Sequence, residues 1–345
     1  MTLSRRSVLA GTAALSAGAA FGFTIRTASA AETLTGVTYL PPSYADLAYG
    51  SQGFVDFVTD NHADAVTIDF YDSGRLLSAD EQLPALRSGT IDFMFHTTSY
   101  ITRSLPILGI TGLPGVVGPL YENPDRLKIG SPLFELINTE LNKQGLTALS
   151  LGGGIMEPEF IWSTGSPGIR TLEAIDGKKI RVVSFEATKA IEDFGGAAVR
   201  IPSSELYLAL QRGTVDAAVA NISTINGRSV QEQIKQVFTV PVTAYGIGIF
   251  VQTDRYAAQP DAVKSAMQAG AAWFDENSAK TANEDYYEQQ YWPKFRESGV
   301  EVIEPDQAAL DRFAEVSANV REAWIQEVGE EVGKKAIALA MGESA

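Results

Sequence analysis

Two nearly identical phrases, RSGTIDF at positions 87–93 and QRGTVDA at positions 211–217, stand in different halves of the chain. Each follows a segment whose apolar residues have helical spacing and precedes an apolar run typical of a buried strand. Gly89 and Gly213 fit the position just after a helix, where the left-handed backbone conformation costs glycine least. The repeated phrase therefore predicts the same junction between a helix and a strand twice.

The segments around the two phrases also follow the same order. In the first half, the strand-like AVTIDFY (65–71) precedes a helical pattern over 78–89 and an apolar run over 90–98. The second half alternates in the same way through 178–184, 185–196, 197–203, 204–213 and 214–222. Strands joined through helices form parallel sheets. We therefore predict an α/β fold of two similar lobes, with a ligand cleft between the carboxyl ends of their strands.

Small polar residues follow the apolar run at both of these ends. FHTTS (95–99) closes the first run and ANISTI (220–225) closes the second. As a matched pair at equivalent places of a repeated architecture, the two stretches are predicted to line the cleft.

Residues 1–30 have the pattern of a secretory signal peptide. Arg5 and Arg6 precede an apolar stretch rich in Gly and Ala, and a small-residue cleavage site ends at position 30. The paired arginines favour the twin-arginine export route, and a Sec signal that carries two arginines stays open. We therefore expect a periplasmic protein.

Charge and residue types exclude several classes of function. Of the 27 basic residues, three lie in residues 1–30, so the rest carries 24 basic against 42 acidic residues and a net charge of −18. Such a surface repels nucleic acid and anionic lipid. The chain has no cysteine and only two histidines, and it lacks the HExxH, P-loop and GxSxG motifs. We expect no catalytic residue, no metal and no cofactor.

The stretch 177–225 starts with GKKIR and continues through PSSELYLALQRGTVDA (202–217). It resembles the DctP-type substrate-binding proteins of tripartite ATP-independent periplasmic (TRAP) transporters, whose pattern runs G-x-K-I-R and then P-x-S-E-x-Y-x-A-L-Q-x-G-x-V-D-G. Ala217 replaces the last glycine of that pattern. The resemblance extends to a helix-like tract from Pro260 to about Arg296, of the kind that spans both lobes in this family.

The resemblance implies how the chain divides. A first lobe would comprise residues 31–157 plus about 246–285, and a second lobe would comprise 158–245 plus about 286–345. The implied function is capture of a small carboxylate-bearing solute and its delivery to a small and a large membrane subunit driven by an ion gradient. Two alternatives stay open: an ABC-type solute-binding protein, and a secreted α/β enzyme acting on a small organic acid. Both a monomer and a dimer are compatible with the sequence.

Arg181 carries the functional prediction. A guanidinium stays charged and presents a planar fork that matches a carboxylate in two parallel hydrogen bonds. In the DctP-type family, the arginine of the G-x-K-I-R motif binds the carboxylate of the ligand. Arg181 occupies that position in this sequence. The alternative is an exposed strand arginine, or one paired with Glu186 or Glu205.

The other candidate contacts rest on the resemblance and on residue chemistry. His96 and Thr97 end the strand of the first lobe, and Asn221 follows the VD strand of the second, where an amide can donate to a carboxylate. Some relatives carry a second arginine about twenty residues before the first. This chain has EFIWSTG (159–165) there, which puts a second anionic clamp in doubt. The candidate set is completed by Phe160, Trp162, Ser203, Tyr39, Tyr44 and Tyr245.

Overall fold

The computed structural model describes residues 31–165 and 168–343, so the predicted signal peptide lies outside the described residues. Its strands are Glu32–Thr38 (β1), Val66–Tyr71 (β2), Phe93–Thr97 (β3), Leu146–Ser150 (β4), Glu159–Ser163 (β5), Lys179–Val182 (β6), Ala197–Arg200 (β7), Ala217–Ala220 (β8), Gln236–Thr243 (β9), Ile247–Gln252 (β10) and Glu301–Ile303 (β11). They form a five-stranded sheet of order β2-β1-β3-β10-β4 and a six-stranded sheet of order β11-β9-β5-β8-β6-β7. We call the five-stranded sheet with its helices the first lobe, and the six-stranded sheet with its helices the second lobe.

Helices connect these strands. The α-helices are Ala45–His62 (α1), Ala79–Ser88 (α2), Val117–Glu122 (α3), Pro132–Asn142 (α4), Phe185–Asp193 (α5), Ser203–Gln211 (α6), Ile222–Gly227 (α7), Thr253–Ala257 (α8), Asp261–Thr281 (α9), Trp292–Glu297 (α10), Gln307–Val328 (α11) and Glu330–Met341 (α12). A π-helix, Ala282–Tyr291, joins α9 to α10. Short 3₁₀ turns occupy Thr98–Tyr100, Pro106–Gly112, Pro124–Leu127, Glu173–Ile175 and Val230–Glu232. No helix of the described ranges is long and apolar enough to cross a membrane.

The repeated phrase builds the same junction in both lobes. Gly89 ends α2 at φ 73° and Gly213 follows α6 at φ 67°, a backbone conformation that glycine adopts without steric cost. The aspartate of each phrase then accepts a hydrogen bond from the neighbouring strand, Asp92 from the amide of Thr35 (2.8 Å) and Asp216 from the amide of Lys179 (2.9 Å). The phrase occurs twice because each lobe needs one residue to turn the chain and one to tie the new strand to its neighbour.

The three parallel strands around each junction match between the lobes. β1 pairs in parallel with β2 and β3, and β6 pairs in parallel with β7 and β8. Each set is then extended by an antiparallel strand from elsewhere in the chain, β10 in the first lobe and β5 in the second. The predicted parallel arrangement therefore holds for three strands of each sheet.

One helical segment, α9 with the π-helix and α10, runs from residue 261 to residue 297. α9 packs along α1, where Gly53 leaves room for the ring of Trp273. At the other end Trp292 stacks on Trp162 of β5, with ring centroids 5.8 Å apart. The segment therefore contacts both lobes, as the sequence predicted.

The C-terminal helices also contact both lobes. α11 packs against α5 of the second lobe, and α12 packs against α3 and α4 of the first. The sequence predicted that about 286–345 belong to the second lobe, and α12 of that stretch also contacts the first. The lobe boundaries themselves stay a prediction.

Candidate functional site

A cavity lies between the two lobes at the ends of their central strands. The first lobe contributes residues that follow β1, begin α1 and follow β3. The second lobe contributes residues of β5, β6, α6, α7 and the loop after β9. The lining side chains are Tyr39, Leu40, Tyr44, Leu47, Thr97, Ser99, Tyr100, Glu159, Arg181, Val183, Ser203, Thr224 and Tyr245. The cavity is small, with a volume of ≈ 10 Å³.

Arg181 lies on β6, the strand next to the edge strand β7 in the sheet of the second lobe. Its strand β6 is flanked by β7 and β8, and the side chain is 1 % exposed. The guanidinium donates to the carbonyl oxygens of Ile201 (Nε, 2.8 Å) and Val219 (Nη1, 3.0 Å) and, over a longer 3.4 Å, to the Tyr100 hydroxyl (Nη2). These backbone contacts fix the fork and leave an N–H on each terminal nitrogen for another acceptor.

No carboxylate of the described chain forms an ion pair with Arg181, although its charge acts on the Glu159 carboxyl in the same cavity. The ion pairs of the described chain do not include Arg181, so the alternatives of pairing with Glu186 or Glu205 do not hold. A buried cation without an ion-pair partner is costly, and an anionic ligand would reduce that cost.

Glu159, which the sequence reasoning did not select, also lines the cavity. It is the first residue of β5 and is 3 % exposed. Burial raises the pKa of its carboxyl to about 7, and the positive charge of Arg181 opposes that rise. In the described chain its Oε2 atom has no hydrogen-bond partner.

Tyr39 and Thr97 form the wall of the first lobe. Tyr39 directly follows β1, Thr97 ends β3, and their hydroxyl groups are 2.8 Å apart. Burial raises the pKa of Tyr39 well above its ordinary value, so the phenol is neutral and available for hydrogen bonding. Both residues lie where the sequence predicted cleft contacts.

Tyr44 and Ser203 face each other across the lobes. The Tyr44 hydroxyl lies near Ser203 and Thr224, yet within the described ranges neither Tyr44 OH nor Ser203 Oγ has a partner of good hydrogen-bond geometry. Buried polar atoms in native proteins are nearly always bonded. Three polar atoms without a hydrogen-bond partner in the described chain therefore lie in one cavity: Tyr44 OH, Ser203 Oγ and Glu159 Oε2.

Tyr100, also missed by the sequence reasoning, joins the lobes. It ends the 3₁₀ turn after β3, and its hydroxyl accepts from the backbone N–H of Ser203 at 2.7 Å as well as from Arg181. The polar stretch 95–99 was predicted to line the cleft, and Tyr100 is the next residue. Its aromatic character gave no signal that could separate a cleft contact from a core residue.

His96 lies behind the cavity wall instead of in it. Its Nδ1 contacts the carbonyl oxygen of Thr97 (2.9 Å) and its Nε2 that of Ala79 (3.0 Å). The ring also packs against the rings of Tyr39 and Tyr100, with centroids 5.1 and 5.8 Å away. Both nitrogens are thus occupied by backbone, and the geometry gives His96 the role of supporting the two tyrosines.

Asn221 is likewise committed to the backbone. Its Oδ1 accepts from the amide of Ser223 (2.8 Å), which caps α7, and its Nδ2 donates to the carbonyl oxygen of Glu157 (2.7 Å). The side-chain amide that was predicted to bind a carboxylate instead caps the start of α7. Asn221 is not part of the cavity lining.

Phe160 and Trp162 face away from the cavity. The Trp162 indole donates to the carbonyl oxygen of Ala220 (2.9 Å), and both rings pack on Trp292 of α10. Side chains alternate along a strand, so the face of β5 that carries these two rings is opposite the face that carries Glu159. The predicted apolar contacts are instead packing between β5 and the long helical segment.

The last candidate, Tyr245, lines the cavity from the loop between β9 and β10. Burial raises the pKa of its hydroxyl well above the ordinary value, and the nearby charge of Glu159 adds to the rise. Of the predicted contacts, the cavity thus brings together Arg181, Thr97, Ser203, Tyr39, Tyr44 and Tyr245. Within the described residues no cluster of His, Cys, Asp or Glu could hold a metal ion.

Comparison with known proteins gives this cavity a context. The family model described as bacterial extracellular solute-binding protein, family 7 (DctP), matches residues 47–327. A protein of Albidiferax ferrireducens named solute-binding protein is 29% identical over 181 residues, which cover 52% of this chain and 52% of that protein. The chain therefore spans about half the length of that curated relative, and 42% and 61% of two others.

Solved structures share the fold. An extracytoplasmic solute receptor of Bordetella pertussis binding pyroglutamic acid has a TM-score of 0.79 at 16% identity, and the match covers 90% of this chain and 99% of that one. A TRAP periplasmic solute binding protein of Desulfovibrio salexigens with bound orotic acid has a TM-score of 0.77 at 17% identity, covering 90% and 97%. These matches confirm the two-lobed α/β fold. Because the family model spans most of the chain, the resemblance seen in the sequence is confirmed as well, and the chain belongs to the bacterial extracellular solute-binding protein family 7, the DctP family.

Proposed function

We propose that this protein captures a small carboxylate-bearing solute in the cavity between its lobes and delivers it to a TRAP membrane transporter in the periplasm. The observation that carries the proposal is Arg181, a buried guanidinium held by two carbonyl oxygens, with free N–H groups and no ion-pair partner in the described chain. A ligand carboxylate would supply both the charge and the two acceptor atoms. Pyroglutamic acid and orotic acid, bound by the structural relatives, are suitable first compounds for the test.

Binding is proposed to couple to closure of the lobes. Contacts that cross between them include the ion pair of Arg200 with Asp80 (2.6 Å) and the hydrogen bond from Ser43 to the carbonyl oxygen of Gly227 (2.8 Å). A ligand that bridges Arg181 and the first lobe adds to these contacts only when the lobes are together. It therefore shifts the population toward the closed form by hinge motion.

The cavity supports a binding function better than an enzymatic one. The family and the structural relatives are binding proteins. Of the acid–base residues that an enzyme could use, Glu186, Glu205 and His96 lie outside the cavity lining and Glu159 lies within it. Incubating the protein with a panel of organic acids separates the two classes, because an enzyme consumes its substrate and a binding protein only gains thermal stability.

The carboxylate clamp is tested by substitution at Arg181. A thermal-shift screen of small acids identifies a ligand, since binding stabilises the folded state. Removing one partner of a buried charged pair costs about 2–5 kcal/mol, so Arg181→Ala should weaken binding at least about 30-fold. Arg181→Lys should also lose much of the affinity because it keeps the charge but not the fork.

A matched control is Arg170→Ala. Arg170 forms an exposed ion pair with Glu301 (2.5 Å) away from the cavity, so its loss should leave the affinity unchanged. Amide analogues of the ligand should fail on the wild type. Calorimetry that finds Arg181→Ala within a few-fold of wild type would refute the clamp.

The membrane partner is tested separately from the ligand. Uptake by vesicles that contain the small and large TRAP subunits should need both this protein and an ion gradient. Uptake that needs ATP hydrolysis instead would support the alternative of an ABC-type solute-binding protein.

A further inference from the structure

Glu159 carries a carboxyl group inside the cavity, and one oxygen of that group has no hydrogen-bond partner among the described residues. It is 3 % exposed, and in the described chain its Oε2 atom contacts no donor. A buried carboxyl, whether ionised or neutral, ordinarily forms hydrogen bonds, because burying it without a partner costs free energy. The missing partner is therefore expected to arrive with the ligand.

The backbone around Glu159 is irregular. β5 pairs with β9 on one side, and the register of that pairing shifts between Glu159 and Ile161. Irregular pairing of this kind can re-aim a side chain next to a functional site. Glu159 lines the cavity, while Phe160 and Trp162 pack on the long helical segment.

Counting charges in the closed cavity limits the chemistry of the ligand. The cavity holds one guanidinium, Arg181, and one carboxyl, Glu159, and the described residues place no ion-pair partner on either. Once a ligand carboxylate occupies the N–H groups of Arg181, the cavity contains two carboxyl groups and one cation. An unpaired second carboxyl is unfavourable in a closed space, and a hydrogen-bond donor on the ligand would relieve it.

We propose that Glu159 accepts a hydrogen bond from an N–H or O–H group of the ligand and so selects carboxylates that carry such a donor. The inference rests on the proposed function, since it assigns the ligand carboxylate to Arg181. The donor could be a hydroxyl, an amide N–H or an ammonium group, and the test separates these three sources.

The test compares ligands that differ only in the donor. Calorimetry measures the Kd of three pairs: a hydroxy acid and its deoxy acid, a lactam acid and the cyclic keto acid with CH₂ in place of N–H, and an amino acid and its deaminated form. For at least one pair the wild type should bind the donor-bearing member about tenfold or more tightly, as expected for one hydrogen bond to a charged group. The pair with that preference identifies the donor type.

Glu159→Leu keeps the approximate size of the side chain and removes the acceptor. Its preference for the donor-bearing member should fall to within about threefold. Should Glu159→Leu fail to fold, Glu159→Gln supplies a neutral acceptor, and its preference should be smaller than that of wild type because neutral hydrogen bonds are weaker.

The matched control is Glu157→Gln. Glu157 is half-buried, its pKa is also raised to about 7 by burial, and its carboxylate accepts from the Trp292 indole (2.7 Å) outside the cavity. This variant should keep the full preference. Wild-type protein that binds both members of every pair equally, or an unchanged preference in the Glu159 variants, would overturn the inference. Amide analogues of the same acids test the role of Arg181. If the acids bind and their amides do not, but the presence of a donor makes no difference, the role of Glu159 is overturned and the proposed function stands.

Discussion

Tyr100→Phe tests whether the lobes close through the contacts described above. The substitution keeps the ring that packs on Tyr39 and removes the hydroxyl, which accepts from the Ser203 N–H at 2.7 Å and from Arg181 at 3.4 Å. With the lobes together, the Ser203 N–H at the start of α6 would then be buried without an acceptor. In an open form, water would reach it.

The expected effect follows from that difference. Leaving a buried donor unsatisfied costs about 1–3 kcal/mol, which corresponds to an affinity about 5–150-fold weaker. The contact at 3.4 Å is too long to add much. Because the open form does not carry this penalty, the melting temperature of the ligand-free protein should change by no more than a few degrees.

Calorimetry with a ligand from the acid screen measures the loss, and X-ray scattering with and without ligand measures closure. Tyr207→Phe is the matched control, because its hydroxyl bonds to Glu232 (2.7 Å) within the second lobe and is exposed. Affinity of Tyr100→Phe within twofold of wild type would refute the reasoning, and so would an equal loss in Tyr207→Phe.

Three further predictions concern stability. His96→Ala should lower the free energy of unfolding by about 2 kcal/mol or more, because it removes a buried hydrogen bond to a carbonyl oxygen and packing against two rings; a denaturant titration that finds normal stability but lost affinity would instead support direct ligand contact. Burial raises to about 7 the pKa of the carboxyls of Glu157 and Glu186, which lie outside the cavity lining. The folded state then holds protons that the unfolded state has lost above about pH 4.5, so the free energy of unfolding of the ligand-free protein should fall as pH rises from about 4.5 to 7 and level off above; a flat urea-stability profile over that interval would contradict this. Gly153→Ala should destabilise strongly, because φ is 70° and an added Cβ would lie 1.7 Å from a backbone oxygen of α9, whereas Gly118→Ala, with no atom within 4 Å, should be nearly neutral in thermal melts.

The sequence predicted the architecture because its signals are local and repeated. Gly89 and Gly213 need a left-handed backbone, and the aspartate that follows each ties neighbouring strands. The antiparallel strands β5 and β10 could not be foreseen, because an apolar run carries no information about its direction in a sheet.

The site could be predicted only to within one residue along a strand. The sequence predicts contacts from Phe160, Trp162 and His96, whereas in the structure their neighbours Glu159 and Thr97 line the cavity. Neighbouring residues point to opposite faces, so choosing the wrong face inverts the assignment. Arg181 escaped this ambiguity because the family motif fixes its register.

The π-helix Ala282–Tyr291 sets the rotational phase between the two ends of the long helical segment. Its hydrogen bonds span one more residue than those of an α-helix. The number of helical turns between α9 and α10 therefore differs from that of an α-helix with the same number of residues. A change in the conformation of this stretch would alter that phase, and with it the stacking of Trp292 on Trp162 or the packing of α9 on α1. The conformation of the π-helix is therefore constrained even where the identities of its residues are free to vary.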